Sequence, residues 1–168
     1  MKTIVLFSSA NKEGNTAQAV ASVEANHEFE LIDIDDMTIT PYNYGNQYPD
    51  DDFHPLIERL LDADNLVFAS PVYWYSVTAP MKAFIDRLTE LLDVKHLRPT
   101  ARALATKRGF LIASSGSAEL CPTFHGLFSG LFAYFDIPFV ATLHAPCQSG
   151  FSLTSDEVER FNQILNQG

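Results

Sequence analysis

Residues 66–92 read L-V-F-A-S-P-V-Y-W-Y-S-V-T-A-P-M-K-A-F-I-D-R-L-T-E-L-L. The stretch opens on an apolar run, Leu66 to Ala69, suited to a strand buried on both faces. Ser70 and Pro71 are expected to stop that strand, because proline fixes its own φ and has no N–H for a ladder. A helix should follow, with Thr78 as N-cap and Pro80 in the first turn, where a missing N–H costs nothing. Met81, Phe84, Ile85, Leu88, Leu91 and Leu92 recur at helical spacing and make one apolar face. Between strand and helix stand three consecutive aromatics, Tyr73, Trp74 and Tyr75. Such a loop at the end of a buried strand suits the covering of a flat ligand. The competing reading puts the rings in the core beneath the loop, and on this loop alone the two stand level.

Upstream, Met1 to Phe7 reads as a first buried strand. It runs into S-S-A-N-K-E-G-N-T, Ser8 to Thr16, and then into a helical stretch from about Ala17 to Ala25. A polar loop that empties into a helix N-terminus offers outward N–H groups and the positive end of the helix dipole, which together favour an anion such as phosphate. Hydroxyls of Ser9 and Thr16 and the amide of Asn15 can add hydrogen bonds. The loop is neither a P-loop nor a G-x-G-x-x-G turn, and a plain capped helix would also account for it. Glu28 to Ile34 suits a strand near a sheet edge. Asp35 to Asp52 is a long polar connection that carries Tyr42, Tyr44 and Tyr48, a length often kept for function. Aspartates crowd its ends. A divalent metal is the sharper explanation, but acids ahead of the helical pattern Phe53, Leu56, Ile57, Leu60, Leu61 are explained by the helix dipole.

Downstream, Lys95 to Arg108 holds five of the eleven basic residues and reads as a solvated connector, with Lys95 near a helix C-terminus. Gly109 to Ala113 is a further buried strand, stopped by S-S-G-S at Ser114 to Ser117. Pro122 to Phe135 is apolar almost all round, which predicts a helix buried in the core or in a subunit contact. Ile137 to Leu143 gives a last strand and Ser155 to Leu165 a closing amphipathic helix. Strand and helix thus alternate five times. That order implies an α/β fold, a parallel sheet covered by helices on both faces. Ligands on such sheets sit beyond the carboxyl ends of the strands, where strand order reverses. Three loops can converge there: Ser8–Thr16 as a phosphate cradle, Ser70–Ser76 as a wall of aromatics, and Ser114–Ser117 with small polar groups. FMN is the economical ligand for that set.

The stretch Ser70 to Arg87, S-P-V-Y-W-Y-S-V-T-A-P-M-K-A-F-I-D-R, closely resembles the [SG]-P-x-Y-x-x-S-x-[ST]-A-x-[LM]-K-x-F-I-D-R segment of the NAD(P)H-dependent FMN reductase family. The first loop is similar to that family's G-S-x-R-x-x-[GS]-N-[ST] motif, with Ser9, Gly14, Asn15 and Thr16 on its positions. It departs at Asn11, where the family often has Arg, and at Ser8, where it has Gly. The resemblance implies a flavodoxin-like three-layer sandwich, with a five-stranded parallel sheet in the order 2-1-3-4-5. It implies FMN as cofactor, bound by Ser9, Asn11, Gly14, Asn15 and Thr16, by Pro71, Val72, Tyr73, Trp74 and Tyr75, and by Ser114, Ser115 and Gly116. NADPH or NADH is then the co-substrate, and a quinone, flavin, azo or nitro compound the acceptor. The cofactor carries the reaction, so no side chain is assigned as catalytic acid or base. Iron–sulfur relatives carry a cysteine cluster after the second strand; here that region reads P-Y-N-Y-G-N, and no cluster is expected.

Composition bounds the rest. At 168 residues the chain is expected to form one domain around one core. A net charge of −10 argues against nucleic acid or an anionic membrane as partner. No apolar run approaches a membrane span and no secretory leader is read, so the expectation is a cytoplasmic protein, and a homodimer or higher homo-oligomer. Two other classes stay open. A flavodoxin-type electron carrier would share fold and acidity, though its compact T-x-T-G-x-T loop differs from S-S-A-N-K-E-G-N-T. Cys121, His125, His144 and Cys147 supply a zinc set in kind, yet their spacing matches no usual pattern.

Overall fold

The computed structural model describes residues 1–25 and 27–167. The chain runs β1 (Thr3–Phe7), α1 (Asn15–Glu24), β2 (Glu30–Asp33), α2 (Phe53–Leu61), β3 (Asn65–Pro71), α3 (Ala79–Arg87), α4 (Glu90–Asp93), α5 (Arg98–Ala103), β4 (Arg108–Ser115), α6 (Pro122–Tyr134), β5 (Phe139–Pro146) and α7 (Ser155–Asn166). The five strands form one sheet in the order β2-β1-β3-β4-β5, and every pairing is parallel. This is the flavodoxin-like arrangement. Side chains alternate across each strand, so the sheet feeds two cores. Leu6, Phe68 and Leu111 pack under α2, α3 and α6, whereas Val5, Val67, Phe110 and Ile112 pack under α1 and α7. No helix among the described residues is long and apolar enough to cross a membrane.

Local signals placed most of these elements. Thr78 caps α3 by accepting from the Met81 N–H, and Pro80 stands in the first turn. Thr154 and Glu157 close a capping box at the start of α7. Phe124, Phe128 and Phe132 bury one face of α6, and a Cβ on Gly109 would meet the Phe132 ring at 2.8 Å, so the glycine lets that helix sit on β4.

Three expectations change. Pro71 ends β3 from inside the ladder. Ser8 N–H donates to Ala69 O, after which β1 has turned away, and Val72 N–H donates to Ser114 O on the other side. The missing proline N–H therefore falls past the last rung. Ser114 and Ser115 likewise belong to β4 rather than to the loop after it. The basic connector is helical, and three of its five cations cap helix ends. Arg98 donates to Leu92 O, Lys107 to Leu61 O, and Arg108 to the carbonyls of Ile164, Leu165 and Gln167 at the end of α7.

The aspartates before α2 do more than complement a dipole. Asp52 accepts from Thr38 N–H and Asp51 from Thr40 N–H and Phe53 N–H, so they hold the long loop against the helix. Asp51 also pairs at 2.9 Å with Arg87, which is 1% exposed, donates to Glu90 and Thr40 O, and stacks on the Tyr48 ring. Burial pushes the Asp51 carboxyl up, but the Thr40 N–H, the Arg87 guanidinium and the Phe53 N–H outweigh it and hold the value at about 2. Removing one partner of a buried pair strands the other charge. Arg87→Met is expected to lower unfolding stability by about 3–5 kcal/mol in urea titrations. The Asp51 contribution is complete above the ordinary carboxylate pKa of about 4 and is lost as pH falls toward the folded value of about 2. Asp51→Asn should therefore flatten the loss of stability across that interval.

Candidate functional site

β1 has β2 on one side and β3 on the other, so the chain leaving β1 and the chain leaving β3 part company at the carboxyl edge. A cleft of about 470 Å³ opens there. Its wall includes Ser9, Asn11, Gly14, Asn15 and Thr16 from the first loop, Pro71, Val72 and Tyr73 from the second, and Ser114, Ser115 and Gly116 from the third. The three strand ends thus converge as the sequence predicts. Glu13, Gln18 and Cys147 line it as well. Glu13 and Gln18 lie within or beside the polar loop already singled out. Cys147 follows β5 and is brought in because its N–H bonds to Ser115 O at 2.8 Å, a pairing that no local signal announces.

The first loop opens onto the N-terminus of α1. Gly14 caps α1 with no side-chain bond to the helix, so the N–H groups of Asn15, Thr16 and Ala17 have no cap; Gln18 N–H is the first to bond back, to Gly14 O. A Cβ at Gly14 would stand 3.1 Å from the Asn11 side chain, a tight approach. Asn11 braces the loop internally, its Oδ1 accepting from Glu13 N–H and its carbonyl from Gly14 N–H. Thr16 is turned inward. Its hydroxyl meets that of Ser114 at 2.7 Å and both are buried, so it ties α1 to β4. Lys12, the nearest cation in sequence, is held by Asp33 and Asp35 and lies over the Phe7 ring, outside the cleft. Among the described residues Glu13 is the one charged side chain on the cleft wall. An anion here would be met by N–H dipoles and hydroxyls rather than by a cation.

The aromatic loop is resolved against the core reading. Tyr73 is 43%, Tyr75 65% and Trp74 93% exposed. Tyr73 N–H donates to Ser76 O and Ser76 N–H to Tyr73 O, closing a two-residue turn with φ of +49° at Trp74 and +66° at Tyr75. That is the turn class which Asn-Gly favours, because both central residues are left-handed. Two bulky aromatics there are strained. The turn points the rings outward, and of the three only Tyr73 reaches the cleft wall in the described structure.

Cys121, His125, His144 and Cys147 do not assemble. His125 stacks on Phe139 at 5.0 Å, and His144 Nε2 bonds to Ser115 Oγ at 2.8 Å. No group of three or more metal-ligating side chains comes together among the described residues. Burial raises the Cys147 thiol above its ordinary value, whereas the Phe124 N–H at the start of α6 lowers that of Cys121.

The model of the family described as NADPH-dependent FMN reductase matches residues 1–135, from β1 through α6. The chain belongs to this family. Membership makes it an oxidoreductase with FMN as cofactor and NAD(P)H as co-substrate. It is 29% identical to YwqN of Bacillus subtilis (strain 168), named as an NAD(P)H-dependent FMN-containing oxidoreductase, over 69% of this chain and 67% of that one. It is 30% identical to the iron–sulfur flavoprotein MJ1083 of Methanocaldococcus jannaschii, but over 52% of this chain and only 51% of that protein. In fold it is similar to the Trp repressor binding protein from Bacillus subtilis, with a TM-score of 0.74, 18% identity and 99% of each chain covered.

The strained turn carries a direct test. Left-handed conformation costs a non-glycine residue about 1–2 kcal/mol. Trp74→Asn with Tyr75→Gly is expected to stabilise the ligand-free chain by about 1–2 kcal/mol in chemical unfolding. A loss of stability instead would place the rings back in the core.

Proposed function

We propose that the cleft holds FMN, with its phosphate on the N-terminus of α1 and its ring between Val72–Tyr73 and Ser114–Gly116. On this reading the chain passes electrons from NADH or NADPH to a small acceptor, such as a quinone, flavin, azo or nitro compound. The observation that carries it is the uncapped α1 N-terminus opening into the same cleft as the ends of β3 and β4. FMN supplies the hydride chemistry when bound. The chain supplies position: Asn15, Thr16 and Ala17 N–H groups aim at the anion, while Ser9, whose hydroxyl donates to the Asn11 carbonyl, and Asn11 keep the loop's shape. Trp74 and Tyr75 remain free to close on the ring or on what approaches it. The net charge of −10 supports a small-molecule partner over a polyanion, and we place the protein in the cytoplasm.

Anaerobic NADH or NADPH should bleach the bound flavin before any acceptor is added; failure of both would leave an electron carrier as the better account. The phosphate contact has its own test. Asn15 is the first helical residue, a position that accepts proline, and Gly14 before it is extended (φ −77°, ψ −171°) as a pre-proline residue must be. Asn15→Pro removes one N–H aimed at the phosphate without breaking the helix. A hydrogen bond to a charged group contributes about 1.5–3 kcal/mol, so FMN should bind about ten- to a hundredfold more weakly while riboflavin is unaffected. Equal losses for both would move the phosphate elsewhere.

The outer side of α6 supports a homodimer. An apolar hollow of about 360 Å³ lies between α3–α4 and α6, lined by Ile85, Leu88, Leu92, Leu127 and Leu131, beside Gly130 and the largely exposed Tyr134. Light scattering at micromolar concentration should give about twice 18.7 kDa. Leu131→Glu should return the mass to that of one chain.

A further inference from the structure

Ser115 stands at the carboxyl end of β4 on the cleft wall, and its hydroxyl meets His144 Nε2 at 2.8 Å, besides longer contacts at 3.4 and 3.3 Å to the carbonyl and N–H of Ser117. His144 lies on β5, beyond the residues matched by the family model. Its ring lines a second hollow, of about 320 Å³, on the flank of the sheet with Ala118, Glu157 and Arg160. One hydrogen bond therefore joins the cleft to a separate opening.

The chemistry needs such a connection. Reduction of a quinone, azo or nitro acceptor A by NAD(P)H follows NAD(P)H + A + H⁺ → NAD(P)⁺ + AH₂. Two electrons and one hydrogen leave the nicotinamide as hydride, and the second hydrogen must arrive as a proton. The Cys147 thiol beside the cleft is pushed by burial above its ordinary value and holds its proton through neutrality. Imidazole is the side chain that exchanges protons in that range.

We propose that Ser115 and His144 form a proton relay to the acceptor, refilled from water through the flank hollow; this rests on the reductase reading given above. Ser115 Oγ gives its proton to the acceptor oxygen or nitrogen, His144 Nε2 restores it, and the imidazole regains a proton from the flank. Glu157 and Arg160 of α7 face the same hollow, and Cys147 lies past the end of the same strand. Burial lowers the His144 pKa, and the Glu157 charge opposes that shift.

The test uses the FMN-loaded full chain and two acceptors, p-benzoquinone, which takes up protons, and ferricyanide, which takes up electrons alone. His144→Gln keeps an amide for Ser115 but carries no titrating proton, and Ser115→Ala cuts the link with His144 intact. Each should lower the quinone-to-ferricyanide ratio of kcat by about a hundredfold and flatten the pH profile of quinone reduction. Equal slowing with both acceptors, or no slowing, overturns the relay. Nitrogen NMR of the imidazole gives a readout independent of turnover. Adding FMN should shift the His144 titration in the unaltered chain and not in Ser115→Ala; no shift in the unaltered chain overturns the proposal. If neither nucleotide bleaches the flavin, the reductase reading fails, and the imidazole response alone decides whether His144 senses the cleft.

Discussion

The site depends on one buried hydroxyl. Ser8 is fully buried at the point where β1 turns into the anion loop, and its Oγ bonds to both the Asp35 carboxylate and the Thr78 hydroxyl. Asp35 comes from the turn that follows β2, and Thr78 is the cap of α3, so one side chain joins three elements. Asp35 also takes the Ser9 N–H at 3.0 Å and the Lys12 ammonium at 2.7 Å. Burial works to raise its pKa, but Lys12, Ser8 and Ser9 together lower it, so the carboxylate stays charged and keeps the loop in register. An unpartnered polar group at this depth costs about 1–3 kcal/mol. Both bonds are therefore held, and with them the spacing between the cradle on α1 and the turn that carries the aromatics. The serine that departs from the family's glycine thus has a structural reason.

Much of this was legible from residues alone. Alternation of strands and helices implied the parallel sheet. The caps Thr78 and Pro80, the apolar spacing of α2 and α3, and the polar loop before α1 each had a local physical cause that tertiary packing did not override. What was not legible had causes remote in sequence. Pro71 stays in its strand because of where β1 and β4 end, which concerns partners about sixty and forty residues away. Thr16 turns inward because Ser114 waits there. The cations before β4 look like a solvated run until the ends of α2, α4 and α7 arrive to receive them. In each case the local reading differed from the structure because the deciding partner lies far away in sequence.

The charge arrangement follows the same logic. A chain of net charge −10 that binds an anion would be expected to keep a cation for it. The cation nearest in sequence, Lys12, is instead neutralised by Asp33 and Asp35. Free helix N–H groups supply the attraction, and their pull is confined to the first turn. On the proposed reading, such a cradle takes a terminal phosphate that fits among its donors, and selects by shape rather than by charge.

The exposed turn closes the argument about what the cleft is for. Two left-handed aromatics cost about 1–2 kcal/mol each, and Trp74, 93% exposed, recovers little of that by burial in the ligand-free chain. An indole covered on one face loses about 100 Å² or more to water, which at about 25 cal/mol per Å² contributes about 2.5 kcal/mol. Covering both rings therefore recovers roughly what the backbone conformation costs. A flat ligand in the cleft beside Tyr73, or a second flat molecule stacked on it, supplies that cover. Glycine at these positions would relax the turn and leave nothing to cover the ligand. On the proposed reading, the strain is offset when a bound ligand buries the rings.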